Sequence, residues 1–175
     1  VRSESMGLGL DGGLYRLLLL LHIFCAIGGF GAVVFNGLYR TRARQRGGDA
    51  ELVLLEENGY VTHVAEFLIY GVFVFGLAVA FSSKSYWELS QSWLSLAMLL
   101  YIIEMGVLHG LIHRSERQYK DLLVQVSGSS GGRTAEVSQL EQLEKRIRLG
   151  WAGFDVIFLL ILYLMVFTPG HVRAG

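Results

Sequence analysis

Four stretches of this chain are long and apolar enough to cross a membrane, and that constraint decides most of what it can fold into. About 20 residues of helix cover the roughly 30 Å of hydrocarbon in a bilayer. Leu17 to Tyr39 contains no Asp, Glu, Lys or Arg. Val61 to Phe81 contains only Glu66 of these, with His63 beside it; Trp93 to Ile112 contains Glu104, with His109; Leu149 to Thr168 contains Asp155. Hydrophobic residues make up 53% of the 175 and charged residues 17%, and the mean hydropathy is +0.46, a membrane composition. The expected fold is all-α: one domain, residues 1–175, whose four transmembrane helices at about 17–39, 61–81, 93–112 and 149–168 form an antiparallel bundle. A cytoplasmic helical hairpin, 115–148, is expected between helices 3 and 4. The first stretch is too long for a cleaved signal peptide, and Asn36-Gly37-Leu38-Tyr39-Arg40 is no small-residue cleavage site.

The basic residues set the orientation, because short loops rich in them stay in the cytoplasm. Arg40, Arg42, Arg44 and Arg46 follow the first span; Arg114, Arg117, Lys120, Arg133, Lys145, Arg146 and Arg148 lie between the third and fourth. Only Arg2, Arg16, Lys84 and Arg173 remain for the other side, so both termini are expected outside. Ser82 to Ser92 is then a short external turn. Tyr86, Trp87 and Trp93 fit an outer aromatic belt, and Tyr39, Tyr60 and Trp151 an inner one. Fifteen acidic residues balance fifteen basic ones, which argues against nucleic acid as a partner. One cysteine and one proline exclude a disulfide scaffold, a zinc finger and a proline-rich linker.

The two cytoplasmic connections differ. After Gly47-Gly48, Asp49 is expected to cap a short surface helix through Glu57, and Asn58-Gly59 to turn the chain into the membrane. In the larger connection, Ser115 to Val126 reads as a helical arm, Ser127 to Gly132 as a flexible turn, and Thr134 as the start of a second arm. Val137, Leu140, Leu143 and Ile147 recur at three- and four-residue steps, opposite Leu122, Leu123 and Val126. They serve either to pack the arms together or to receive a partner. Within the spans, Cys25 with Gly29, Gly28 with Ala32, Gly71 with Gly76, and Gly106 with Gly110 form small faces where helices approach closely. Cys25 is read as a small apolar residue.

Ionisable groups inside hydrocarbon are costly and mark function by default. His63, Glu66, Glu104, His109 and Asp155 are expected to form one inner polar cluster facing the bundle, with His22 in the outer half. His63 and Glu66 share a helix face, as do His109 and His113. At about 100° per residue, Glu104 and His113 fall on opposite sides. A dimetal site needs a Glu-x-x-His step, and His63-x-x-Glu66 runs in reverse, so no metal centre is expected. Haem b is the one cofactor to weigh. His63 and His109 stand at similar depth on two helices, with His113 as a substitute. No catalytic residue is expected.

The block Leu20-Leu21-His22-Ile23-Phe24-Cys25-Ala26-Ile27-Gly28-Gly29-Phe30-Gly31, with the arginine-rich loop and Trp93 to His113 after it, resembles a bacterial family of four-helix integral membrane proteins of unknown function. That family looks distantly similar to the CopD copper-resistance membrane domain and the HemJ haem-biosynthesis protein. The resemblance implies a bacterial inner-membrane protein, and it makes His22 the residue to inherit any first-helix haem role. The favoured expectation for function is a non-catalytic accessory subunit that associates, among membrane lipids, with a larger integral membrane complex. A haem b redox protein and a small oligomeric or proton-linked transporter are the alternatives.

Overall fold

The structure, a computed structural model of the chain, describes residues 9, 10, 12–83, 89–128 and 134–168, with the backbone alone at 48, 49, 127, 128 and 134. Every regular element among the described residues is helical: α1 (Gly13–Arg46), α2 (Gly48–Ser82), α3 (Ser92–Gly106), a π-helical segment (Val107–His113), α4 (Arg114–Gly128) and α5 (Thr134–Phe167). Four helical runs are long and apolar enough to cross a membrane: 13–46, 50–82, 92–126 and 135–167. Large apolar side chains are exposed on each, among them Ile27, Phe67, Val74, Ile102, Leu159 and Val166. Such surfaces suit a solvent of lipid tails.

The helices outrun the apolar stretches that announce them. α1 is about 50 Å long by helical rise, well beyond the hydrocarbon layer. Its last turn carries Arg44 and Arg46, a favourable charge at a helix C-terminus. It stops at Gly47, whose φ of +64° is a left-handed conformation that glycine adopts without the Cβ penalty. Gly47 also accepts a hydrogen bond from the Glu51 amide, so one residue ends α1 and caps α2. The separate surface helix expected at 49–57 does not exist. α2 runs without interruption through Asn58-Gly59, and its cap is Gly47; the Asp49 side chain is outside the described residues. At the far end, α5 stops at Phe167, where Thr168 takes a φ of +38° before Pro169, which disfavours helix in the residue preceding it. Of the expected turns, Ser82 to Ser92 and Ser127 to Gly132, the stretches 84–88, with Tyr86 and Trp87, and 129–132 lie outside the described residues, as do both termini; Ser127 and Gly128 still belong to α4.

The described chain divides into two compact units. Residues 1–46 and 53–89 form the first, in which α1 and α2 run antiparallel. The seam is built from small residues. A Cβ placed on Gly29 would meet Ile69 Cγ1 at 2.9 Å and the Ile69 backbone nitrogen at 3.2 Å; one on Gly71 would meet Cys25 Sγ at 2.8 Å; one on Gly28 would meet Leu68 at 2.9 Å. Asn36 and Thr62 add a polar rung through a 3.2 Å bond, and Thr62 passes it on to the Asn58 carbonyl. Cys25, Phe30, Val33, Ala65 and Ile69 fill the seam and are buried.

Residues 47–52 and 90–175 form the second unit, where α5 packs along α3, the π segment and α4. Leu108, Ile112, Ile147 and Phe154 are its fully buried centre. Gly150 lets the backbones close up, since a Cβ there would stand 2.8 Å from Ile112 Cγ1. The arms α4 and the first half of α5 lie against each other, with Leu123 and Ile147 buried. Tyr119 donates to Glu51 Oε1 at 2.7 Å, a buried bond, and Trp151 donates to Glu116 at 3.4 Å. Trp93, expected at the membrane interface, is buried and donates to Gln91. Gly106 and Gly110 face open space and pack no helix, contrary to the small-face expectation.

The seam of the first unit makes a direct prediction. Gly29→Val or Gly71→Val forces side chains, and at Gly29 the backbone, apart, and lowers stability by roughly 1–3 kcal/mol. Gly37→Ala, where nothing stands within 4 Å, leaves stability unchanged or slightly higher. Denaturant unfolding of the detergent-solubilised protein measures both; equal effects at the three sites contradict the seam.

Candidate functional site

Each unit carries its own share of the intramembrane polar residues. In the first, His22 turns toward α2 and donates from Nδ1 to the Val72 carbonyl at 2.8 Å. Its ring lies over Gly76, where a Cβ would come within 3.0 Å of Cε1. A glycine at that position is what admits an imidazole between two close helices. The lock fixes the tautomer, since a nitrogen bonded to a carbonyl must carry the proton. Further along α2, His63 is exposed and Glu66 is largely shielded; His63 Nδ1 and Glu66 Oε2 are 3.2 Å apart, as their three-residue spacing requires.

In the second unit the polar residues gather around the π segment. Hydrogen bonds there close over five residues rather than four, which widens the turn. Gly106 and Gly110, both weak helix formers, bound and interrupt it. The 100° step therefore fails across 107–113, and with it the argument that sets Glu104 and His113 on opposite faces. His109 is exposed and donates from Nδ1 to the Met105 carbonyl at 3.0 Å, while its ring meets that of His113 edge-on at 5.3 Å between centroids.

Glu104 and Asp155 are the unusual pair. Glu104 has no exposed surface, and neither carboxyl oxygen has a hydrogen-bond partner among the described residues. Leaving a buried polar atom unmade costs more than a formed bond returns. Asp155 lies within electrostatic reach of it across α3 and α5. Expected to turn into the bundle, Asp155 stands instead on the exposed side of α5. Phe154 takes the inward position, fully buried against Trp151 at 5.6 Å between rings. One step in helical phase separates a core residue from an outward acid.

Two donor pairs could ligate a metal, His63 with Glu66 and His109 with His113, but each is two ligands short of a closed zinc site by itself. The arms carry a different feature. An open groove of about 390 Å³ runs between α4 and α5, lined by Gln118, Asp121, Leu122, Gln125, Gln139, Gln142, Leu143 and Arg146. Of the expected partner stripe, Leu143 lines this groove, Leu140 is half-buried, Val137 is exposed, and Ile147 is consumed in the seam between the arms.

Residues 16–169 match the model of a family described as "Predicted integral membrane protein (DUF2269)", and the chain belongs to that family. No curated protein and no solved structure matches it. It is a multi-pass integral membrane protein.

The orphaned carboxyl predicts its own replacement. Glu104→Leu fills the site with apolar atoms and removes two unsatisfied oxygens, so the unfolding free energy in detergent stays unchanged or rises by about 1–3 kcal/mol. A fall of more than about 1 kcal/mol contradicts the unpaired carboxyl.

Proposed function

For this member of a membrane family we propose a non-catalytic accessory role: a subunit of a larger complex, a transporter or a respiratory assembly, in a bacterial inner membrane. Both termini face outward and the arms project into the cytoplasm, as the distribution of arginine and lysine favours. The observation that carries the reading is the groove between the arms. Four of its eight lining residues are glutamines, whose amides donate and accept hydrogen bonds but do not titrate. Leu122 and Leu143 add apolar anchors, and Asp121 and Arg146 supply charge of both signs. Such a lining recognises a surface. The lining includes no Ser, Thr, Cys, Lys or His to act as the nucleophile of covalent catalysis.

Because Ile147 and Leu123 hold the seam, the groove can be altered without parting the arms. In the variant Leu140→Ser with Leu143→Ser, the bundle stays folded, and an integral membrane complex that co-purifies with the wild type from native membranes falls away. A wild type that purifies with no other chain, or a complex retained unchanged by the double variant, overturns the reading. Orientation is checked separately with a reporter fused after Gly175. A reporter active only outside the cytoplasm is expected to work there; one active only inside contradicts external termini.

A second reading is haem b, with His63 and His109, or His22, as ligands; of these, His22 and His109 each give Nδ1–H to a backbone carbonyl. A ligating histidine commonly donates its other ring nitrogen in this way. Absorbance near the Soret band in the same purified sample supports it when present at stoichiometric level.

A further inference from the structure

Along α5, Leu149, Ala152, Asp155, Val156, Leu159 and Leu162 are all exposed, and each stands three or four residues from at least one other of the set. Side chains at that spacing share one helical face. Five of the six are apolar, and the sixth is an acid set among them. We infer that this face docks a transmembrane helix of a different membrane protein, one that carries a lysine or arginine level with Asp155. The inference rests on the accessory reading and names the chemistry of the partner.

The charge arithmetic at Asp155 favours that occupant. A carboxylate turned toward lipid tails is costly and calls for a counter-charge. Among the described residues none answers it: Asp155 makes no ion pair with any of them. The nearest cation on the same face of α5 is Arg148, about 10 Å away along the axis, and helical side chains lean toward the N-terminus, which carries Arg148 away from Asp155. Glu104, which does lie within electrostatic reach, has the same sign and is buried, with no hydrogen-bond partner among the described residues. A cation delivered to Asp155 would act on both.

A second copy of this chain does not meet the need. Two copies in one membrane run parallel, and a two-fold contact on this face sets Asp155 against Asp155. No lysine or arginine lies between Leu149 and Phe167 to answer it. The face also admits a close neighbour: Ala152 is small, and nothing stands within 4 Å of where a Cβ on Gly153 would point. Small residues of this kind let helix backbones approach in lipid.

The test is photo-crosslinking in the native membrane. p-Benzoylphenylalanine replaces Val156 in one strain and Gln142, in the groove between the arms, in another; the crosslinked peptides are sequenced by mass spectrometry. The expected result from position 156 is an adduct with an apolar segment of another chain that has Lys or Arg within one helical turn of the crosslink. Asp155→Leu should cut that adduct by roughly tenfold or more, and Asp155→Glu should preserve it. An adduct with a second copy, with lipid alone or with a segment that lacks a cation overturns the inference, as does a yield indifferent to Asp155→Leu. Adducts from position 142 with none from 156 sink this membrane contact and leave the accessory reading standing. Adducts from neither position sink both.

Discussion

Hydrocarbon offers a backbone amide no hydrogen-bonding partner, so each one placed there must be satisfied within its own helix. That requirement makes this chain a set of long helices and removes burial from water as a force between them. What remains is close van der Waals contact, and close contact needs small residues. In the first unit Gly28, Gly29, Gly71 and Gly76 mark close approaches of α1 and α2, each with a neighbouring atom already near where a Cβ would go. His22 depends on the same device, its ring seated on Gly76 and its proton held by the Val72 carbonyl. Gly150 does the equivalent work in the second unit.

Against that background the carboxyls are the anomaly. A fold assembled from apolar contact has no structural use for Glu104, buried with both oxygens unpartnered, or for Asp155, exposed among leucines and valines. Each is a local exception to rules the rest of the chain follows, and such exceptions collect at functional positions. They occupy α3 and α5 beside the π segment, the one place among the described residues where the α-helical ladder widens. A π segment is itself a departure that recurs at functional sites. The three features fall within one unit, and an acid that faces outward makes the most sense where something else comes to meet it.

Much of this could be read from the residues alone, for reasons that also mark the limit. The four spans were legible because length and charge suffice to find them; no helical phase is needed. Their true ends were not. Arg40 to Arg46 and Glu51 to Glu57 are polar enough to leave the membrane yet are good helix formers, so the helices continue through them. Asn58-Gly59 reads as a turn locally and is overridden by helix on both sides. The i, i+3 and i, i+4 pairs, His63 with Glu66 and His109 with His113, met as spacing requires. The roles of Glu104 and Asp155 were invisible, because burial depends on which face of a helix meets a neighbour. Phe154 and Asp155, adjacent in sequence, have opposite fates. Gly106 and Gly110 carried a signal that was legible but ambiguous: small residues at that spacing mark either a packing face or a weak ladder, and here they mark the ladder.

Association with a different membrane protein is the claim on which the functional account turns. Native mass spectrometry of the tagged chain, released from its own membrane in mild detergent, measures it without reference to any single residue. The account predicts a particle whose mass requires this chain together with at least one other integral membrane chain in fixed ratio. A particle whose mass is that of one copy, or of a whole number of copies with nothing else, would contradict it.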